Sequence, residues 1–297
     1  MNRKLHLLLL TLAIANVPTL AFATTTLTLS NDFIEQNRGR ATLDATLLID
    51  FAHDRAKPPS EDGDIHIAGW SPNVGLVTVA EIVNARKEKP ALTAANAAEG
   101  RIRAVPITAV WRIWPEHGGD REFTQNIDGT PIPPDNDKTT NPDHIFEMHP
   151  LTLFDGVEVG DSIGPISGYD YKEAEDAFHR FENTGFHLSC GETQTELTMS
   201  MVGFNYTNFG ISLNEDVSHT MQDGGKAFMA SVHDAEGETL VTNLRMILVP
   251  GTFDELKSAN KSETFKVLGM PRVNLALVKW RCDNAADLTP EFSPRWG

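Results

Sequence analysis

The chain carries 41 acidic against 25 basic side chains in 297 residues, a formal charge of −16. That excess repels phosphate backbones and anionic lipid surfaces, so nucleic-acid binding is not expected and a cationic, neutral or metal-bridged partner fits better. Hydrophobic residues make up 40% of the sequence, which supplies a sizeable core and argues against extended disorder.

Residues 1–23 read as a signal peptide. Arg3 and Lys4 form a basic start, 7–14 is an apolar run, and Ala21-Phe22-Ala23 offers the small-x-small pattern of a cleavage site. The apolar run is too short to cross a bilayer, which takes about 20 residues. The mature chain is expected to begin at Thr24, secreted or periplasmic, with no transmembrane segment after cleavage. A small molecule or an envelope component is the expected partner.

Further along, 64–67 follows the turn-prone Glu61-Asp62-Gly63 and reads as a strand. Residues 73–87 place Val74, Val77, Ala80, Ile82 and Ala85 near one stripe, and Asn73 is a suitable cap, so a helix is expected. Residues 103–114 alternate with period two. In that strand Trp111 and Trp114 have opposite parity, so only one of them is expected against a core. Residues 115–142 are rich in Asp, Asn, Thr, Gly and Pro and read as a long surface excursion without regular structure. Residues 144–154 resume a strand, and Asp155-Gly156 marks a turn where the domain changes.

In the second half, 171–183 has Ala174, Ala177, Phe178 and Phe181 at helical spacing, with Gly185 placed to end the helix. Strands are expected over 195–209, 226–233, 239–249 and 266–281. Residues 234–237 form a hairpin loop, and 254–260 add a helical turn or two. Many short strands with few short helices define a mainly β chain of two small barrel or sandwich domains, 24–154 and 155–297. Cys190 and Cys282 are an even count in an exported chain, and they are expected to form one disulfide in the second domain.

Candidate chemistry comes from two strand pairs. Asp64 and His66 share one strand face, and Glu147 and His149 share another. If the two strands meet, two carboxylates and two imidazoles converge and can hold one divalent metal ion, or act as an acid–base set. His117, at the start of the excursion, is a further candidate ligand. Trp70, Trp114 and Tyr206 are candidates for stacking on a ligand, with core packing as the competing role.

The segments GDIHIAGW, VPITAVWRIWPEHG and HIFEMHPLTLF together resemble an uncharacterised group of exported bacterial proteins. These share a Gly-Asp-x-His strand, a strand leading into His-Gly, and a Glu-x-His-Pro strand. The resemblance implies an OB-like barrel over about 40–154 and singles out Asp64, His66, His117, Glu147, His149 and Pro150. The group brings no established activity, and the long excursion between His117 and His144 departs from its compact pattern. Asp62-Gly63-Asp64 also resembles the opening of staphylococcal-type nucleases, but no companion Arg-rich motif is present and the charge opposes DNA. The leading expectation is an exported ligand-binding or accessory β-barrel protein with a divalent metal site. A metal-dependent hydrolase of phosphoesters and a structural envelope protein are the alternatives.

Overall fold

The computed structural model describes residues 24–134, 138–159, 166–182, 185–200, 204, 206–214, 217, 219–251 and 263–284. The chain opens with β1 (Thr24–Ser30), α1 (Asn31–Asn37), β2 (Thr42–Ala52), β3 (Ile65–Trp70), β4 (Val77–Ile82) and α2 (Lys89–Ala97). Next come β5 (Ala104–Ile113), β6 (Glu122–Thr124), β7 (Phe146–Phe154), β8 (Val157–Glu158), β9 (Lys172–Glu173) and α3 (Ala174–Glu182). It continues through β10 (Phe186–Cys190), β11 (Gln194–Ser200), β12 (Thr207–Leu213), β13 (His219–Thr220) and β14 (Lys226–His233). The last elements are β15 (Thr239–Leu248), β16 (Thr264–Gly269) and α4 (Leu275–Asp283). The expected first 23 residues and the expected turn at 254–260 lie outside the described residues.

Five strands close into a barrel in the order β4-β3-β2-β5-β7, with β7 returning to pair with β4 in parallel. The other pairings around the barrel are antiparallel. Its interior is filled by alternate residues such as Leu47, Ile49, Ile65, Ile67, Ala80, Ile82, Trp111, Ile113, Phe146 and Met148. Each such aliphatic side chain removed from water contributes on the order of 1.5–3 kcal/mol, before the chain entropy it must offset.

The mainly β class is as expected, but a cut after Phe154 does not separate the sheets. Strand β1 pairs with β11 over seven residues and with β6 in parallel, forming the sheet β10-β11-β1-β6 from both halves of the chain. Leu27, Leu29, Leu197 and Met199 from that sheet, and Leu275 and Val278 from α4, join the same core as the barrel. The third sheet, β13-β14-β12-β16 with β15 on β14 and β9 on β12, packs with Ala174, Ala177 and Phe178 of α3 around its own core. Cys190 of β10 and Cys282 of α4 are disulfide-bonded, with Cα atoms 5.5 Å apart. Closing 92 residues in the unfolded chain stabilises by about 4–5 kcal/mol in the chain-entropy picture.

Three expected elements differ. Residues 73–87 hold strand β4 and a 3-10 turn at Ala85–Lys87 instead of a helix. Gly75 at φ +72 breaks any helix there, and a Cβ on it would meet the Asn126 carbonyl at 2.3 Å. Val77 and Val79 are β-branched and favour the strand that follows. Residues 266–281 split into β16 and α4 because Pro271 interrupts the run and Asn274 caps the helix, accepting from Leu277 N at 3.2 Å. Residues 195–209 likewise divide between β11 and β12, which belong to different sheets.

The excursion is more ordered than its composition predicts. It opens with a 3-10 turn, Pro115–His117, and β6 adds to the edge of β1. Gln125 anchors it from within, accepting from Ser30 N at 2.8 Å and donating to the Val74 carbonyl at 2.8 Å. A single buried amide with two backbone partners thus supplies what apolar anchors do elsewhere.

Candidate metal centre

On β3, at Val79 and Glu81 of β4, at Arg112 of β5 and at Glu147 and His149 of β7, the residues facing away from the barrel interior are also buried. Ile166, Tyr206 and Val83 form a small apolar cluster there with Tyr169, Tyr171 and Met270. Phe204 and Trp114 belong to the core of the third sheet. This second cover removes the polar-out signature of a half-exposed strand. It also resolves the Trp parity: Trp111 fills the barrel and Trp114 the neighbouring core, so both are buried.

Between the barrel and its cover lies a line of charged side chains. In the β3–β4 ladder His66 stands opposite Glu81, and in the β5–β7 ladder Arg112 stands opposite Glu147. Strand β4 therefore separates the two expected pairs, and Glu81 connects them. Glu81 Oε1 is 3.6 Å from His66 Nε2, while Glu81 Oε2 is 3.0 Å from His149 Nδ1. Asp64 Oδ2 is 2.9 Å from His66 Nε2, and Glu147 Oε2 is 3.5 Å from His149 Nδ1. Asp64, Glu81, Glu147 and His149 are at most 2% exposed, and His66 is 8% exposed.

Arg112 holds the far end. It donates to Glu147 Oε2 at 2.8 Å, to Glu116 Oε2 at 3.0 Å, and to the Phe204 and Pro271 carbonyls at 3.1 Å each. These contacts tie β5 to the segment before β12 and to the turn before α4. His117 does reach this place despite the long excursion. Its ring stacks on His144 at 5.0 Å, and it forms a potential donor group with Glu116 and Glu147. His144 Nε2 is 3.5 Å from Glu147 Oε1.

The near end is bounded by Lys57 and His53. Lys57 Nζ lies 3.1 Å from Asp64 Oδ1 and 2.9 Å from His66 Nε2. His53 stacks on His66 at 5.1 Å, and its Nδ1 accepts from the His66 backbone N–H.

Protonation follows from burial and these neighbours. Burial alone favours neutral imidazole at His149, but Glu81 and Glu147 outweigh it and raise its pKa to about 10. Burial also works against the Glu147 carboxylate, yet Arg112, His144 and His149 hold its pKa well below the ordinary range. At Asp64 burial is outweighed by His66 and Lys57, again lowering the pKa. Asp62, desolvated and beside Asp64, is pushed up to about 7. Burial and then Glu81 push the Tyr206 phenol well above its usual value.

Short separations and hydrogen bonding disagree at this centre. Both Asp64 carboxylate oxygens, Glu81 Oε2, Glu147 Oε1 and His149 Nδ1 are buried without a well-formed hydrogen bond, although ionic partners lie within 2.9–3.5 Å. Such atoms are close to one another without pointing at one another. Donor atoms about 2.0–2.2 Å from a common ion lie roughly 3–3.5 Å apart with this mutual misalignment. Asp64, His66 and Glu81 form one set with donor atoms within 4.8 Å, and Glu81, Glu147 and His149 form another. His149 Nε2 shares a 2.7 Å hydrogen bond with the Tyr206 hydroxyl, leaving Nδ1 toward the carboxylates. That is the outer partner a ligating imidazole uses for orientation.

Tyr206 is thus committed to His149, and neither it nor the fully covered Trp114 presents an exposed ring for ligand stacking. Trp70 is also buried; it lines a separate cavity of about 170 Å³ with Asp50, Arg101, Arg121 and Phe123. Glu81 and Arg112 are the central residues that strand reading missed. The helix expected over 73–87 conceals Glu81 as a strand residue, and strand alternation alone gives Arg112 no partner. The β-branched Val77-Thr78-Val79 run after Gly75 is the signal that marks Glu81 as a strand residue.

No protein-family model, curated protein or solved structure matches this chain.

Proposed function

We propose that this is an exported metal-binding accessory protein, in which the Asp64–His66–Glu81–Glu147–His149 centre takes up a divalent first-row ion and locks an OB-like barrel to its cover. The observation that carries this reading is the set of buried carboxylate and imidazole atoms at 2.9–3.5 Å that lack well-formed hydrogen bonds. Imidazole nitrogen with carboxylate oxygen suits zinc and its neighbours. Charge supports it too. With both imidazoles neutral as metal ligands and Asp62 protonated, Asp64, Glu81, Glu116 and Glu147 exceed Lys57 and Arg112 by two, the charge of one divalent ion.

The OB-like reading is supported by the closed strand order, by the single parallel β4–β7 pairing, and by a helix, α2, between the third and fourth barrel strands. Export is supported by the pattern of residues 1–23 and by the disulfide. No helix among the described residues is long and apolar enough to cross a membrane. The burial of Glu147 and His149 favours a binding role over phosphoester hydrolysis, because a substrate would have to reach side chains at most 1% exposed.

Calorimetric titration of the chelator-stripped mature chain with Zn²⁺ tests this function. The reading expects binding that weakens by at least tenfold in His149→Ala, since a loss of one ligand or its orienting partner costs on the order of 10–100-fold. Absence of binding, or equal binding by the variant, contradicts it.

A further inference from the structure

We infer that the centre is built for two divalent ions rather than one, with the Glu81 carboxylate bridging them. The inference rests on reading the centre as a metal site and adds its nuclearity. Its geometric basis is the division of labour within Glu81. Oε1 faces His66 at 3.6 Å and Oε2 faces His149 at 3.0 Å, so each oxygen serves a different imidazole. The two donor sets, Asp64/His66/Glu81 and Glu81/Glu147/His149, share this one residue. A carboxylate shared in this way spans ions about 3.5–4 Å apart, the spacing of two-metal sites.

Each half contains buried donor atoms that nothing in the described residues satisfies with good hydrogen-bond geometry. In the first half these are Asp64 Oδ1 and Oδ2, and in the second Glu81 Oε2, Glu147 Oε1 and His149 Nδ1. One ion placed in either half leaves the donors of the other half as they are.

Lys57 marks the first position. Its ammonium lies 3.1 Å from Asp64 Oδ1 and 2.9 Å from His66 Nε2, a place where a cation is favoured. The side chain is 26% exposed, so it can swing toward solvent as a divalent ion takes its place. Each imidazole binds as the neutral ligand, releasing its proton to solvent where it held one.

The test uses Mn²⁺ as the probe, with stoichiometry from equilibrium dialysis and coupling from electron paramagnetic resonance on the mature chain. Two ions per chain with a spin-coupled spectrum are expected. Glu81→Gln is expected to reduce the stoichiometry to one or fewer and to abolish coupling. Lys57→Met is expected to keep two ions and to tighten one site by about tenfold, the worth of one charge-assisted hydrogen bond that no longer competes. Because Lys57 is partly exposed, this second variant tests the assignment even if Glu81→Gln does not fold. One ion per chain, two uncoupled ions, or a Lys57→Met chain with unchanged affinities overturns the bridged pair while leaving a metal centre standing. Absence of any bound ion overturns both readings.

Discussion

Glu81 Oε2 and His149 Nδ1 meet at 3.0 Å across the parallel β4–β7 pairing, the seam at which the barrel closes. The centre therefore spans the last joint of the barrel as well as the contact between barrel and cover. An ion held there binds the folded chain far better than the unfolded one, in which these donors are dispersed.

Zinc is therefore expected to stabilise the mature protein. At a free concentration of a hundred times the dissociation constant, the gain is about 2.7 kcal/mol by mass action. Urea unfolding with and without Zn²⁺ measures it, and His149→Ala should remove most of the difference. An unfolding midpoint indifferent to zinc in the parent chain argues against the centre.

Arg112→Met should be among the most damaging single changes. It leaves the Glu147 carboxylate buried without its guanidinium and frees the Phe204 and Pro271 carbonyls. Breaking a buried pair in this way costs about 3–5 kcal/mol. The double variant Arg112→Met/Glu147→Gln should recover part of that loss in urea unfolding. A single-variant loss below about 1 kcal/mol, the level of an exposed ion pair, would refute this account of the joint.

Asp223 gives an acid-side signature away from the centre. Burial works against its carboxylate, but the Thr42 backbone N–H and hydroxyl both donate to Oδ2, the latter at 2.8 Å, and its pKa falls below the ordinary value. A depressed folded-state pKa stabilises above the unfolded value near 4 and loses that contribution as pH falls through the folded value. Asp223→Asn should cost about 1 kcal/mol at neutral pH, allowing for screening of a partly buried group, and the cost should shrink below pH 4. A cost that does not change with pH would rule out the carboxylate as its source.

The two donor pairs were legible in the sequence because strand parity alone places Asp64 with His66 and Glu147 with His149. Their junction was not. Residues 77–82 carry Val77, Val79 and Glu81 on one face and Thr78, Ala80 and Ile82 on the other, and nearly all are buried. With both faces covered, no polar–apolar contrast marks the strand period, and the same residues fit a helical stripe. The 266–281 run failed for a related reason, since Leu275 and Val278 satisfy a helix as readily as a strand until Pro271 and Asn274 are weighed as stop and cap. Most of the cover over β3, β4 and β7 comes from Ile166 and residues beyond it, far along the chain from β3, and no local pattern announces it.

Export makes a separate prediction. Cleavage after Ala23 would begin the mature chain at Thr24, the first residue of β1, whose backbone nitrogen lies 3.4 Å from Asp120 Oδ1. Intact-mass spectrometry of exported protein should therefore give a chain starting at Thr24. A mature protein retaining residues 1–23 would exclude this processing.

Anomalous diffraction at the zinc edge, from crystals of the zinc-loaded mature chain, tests the central claim most directly because it locates the metal among named atoms. The account predicts density about 2.0–2.2 Å from His149 Nδ1 and from a Glu81 carboxylate oxygen. Zinc confined to exposed histidines such as His187 and His219, with none between Glu81 and His149, would contradict it.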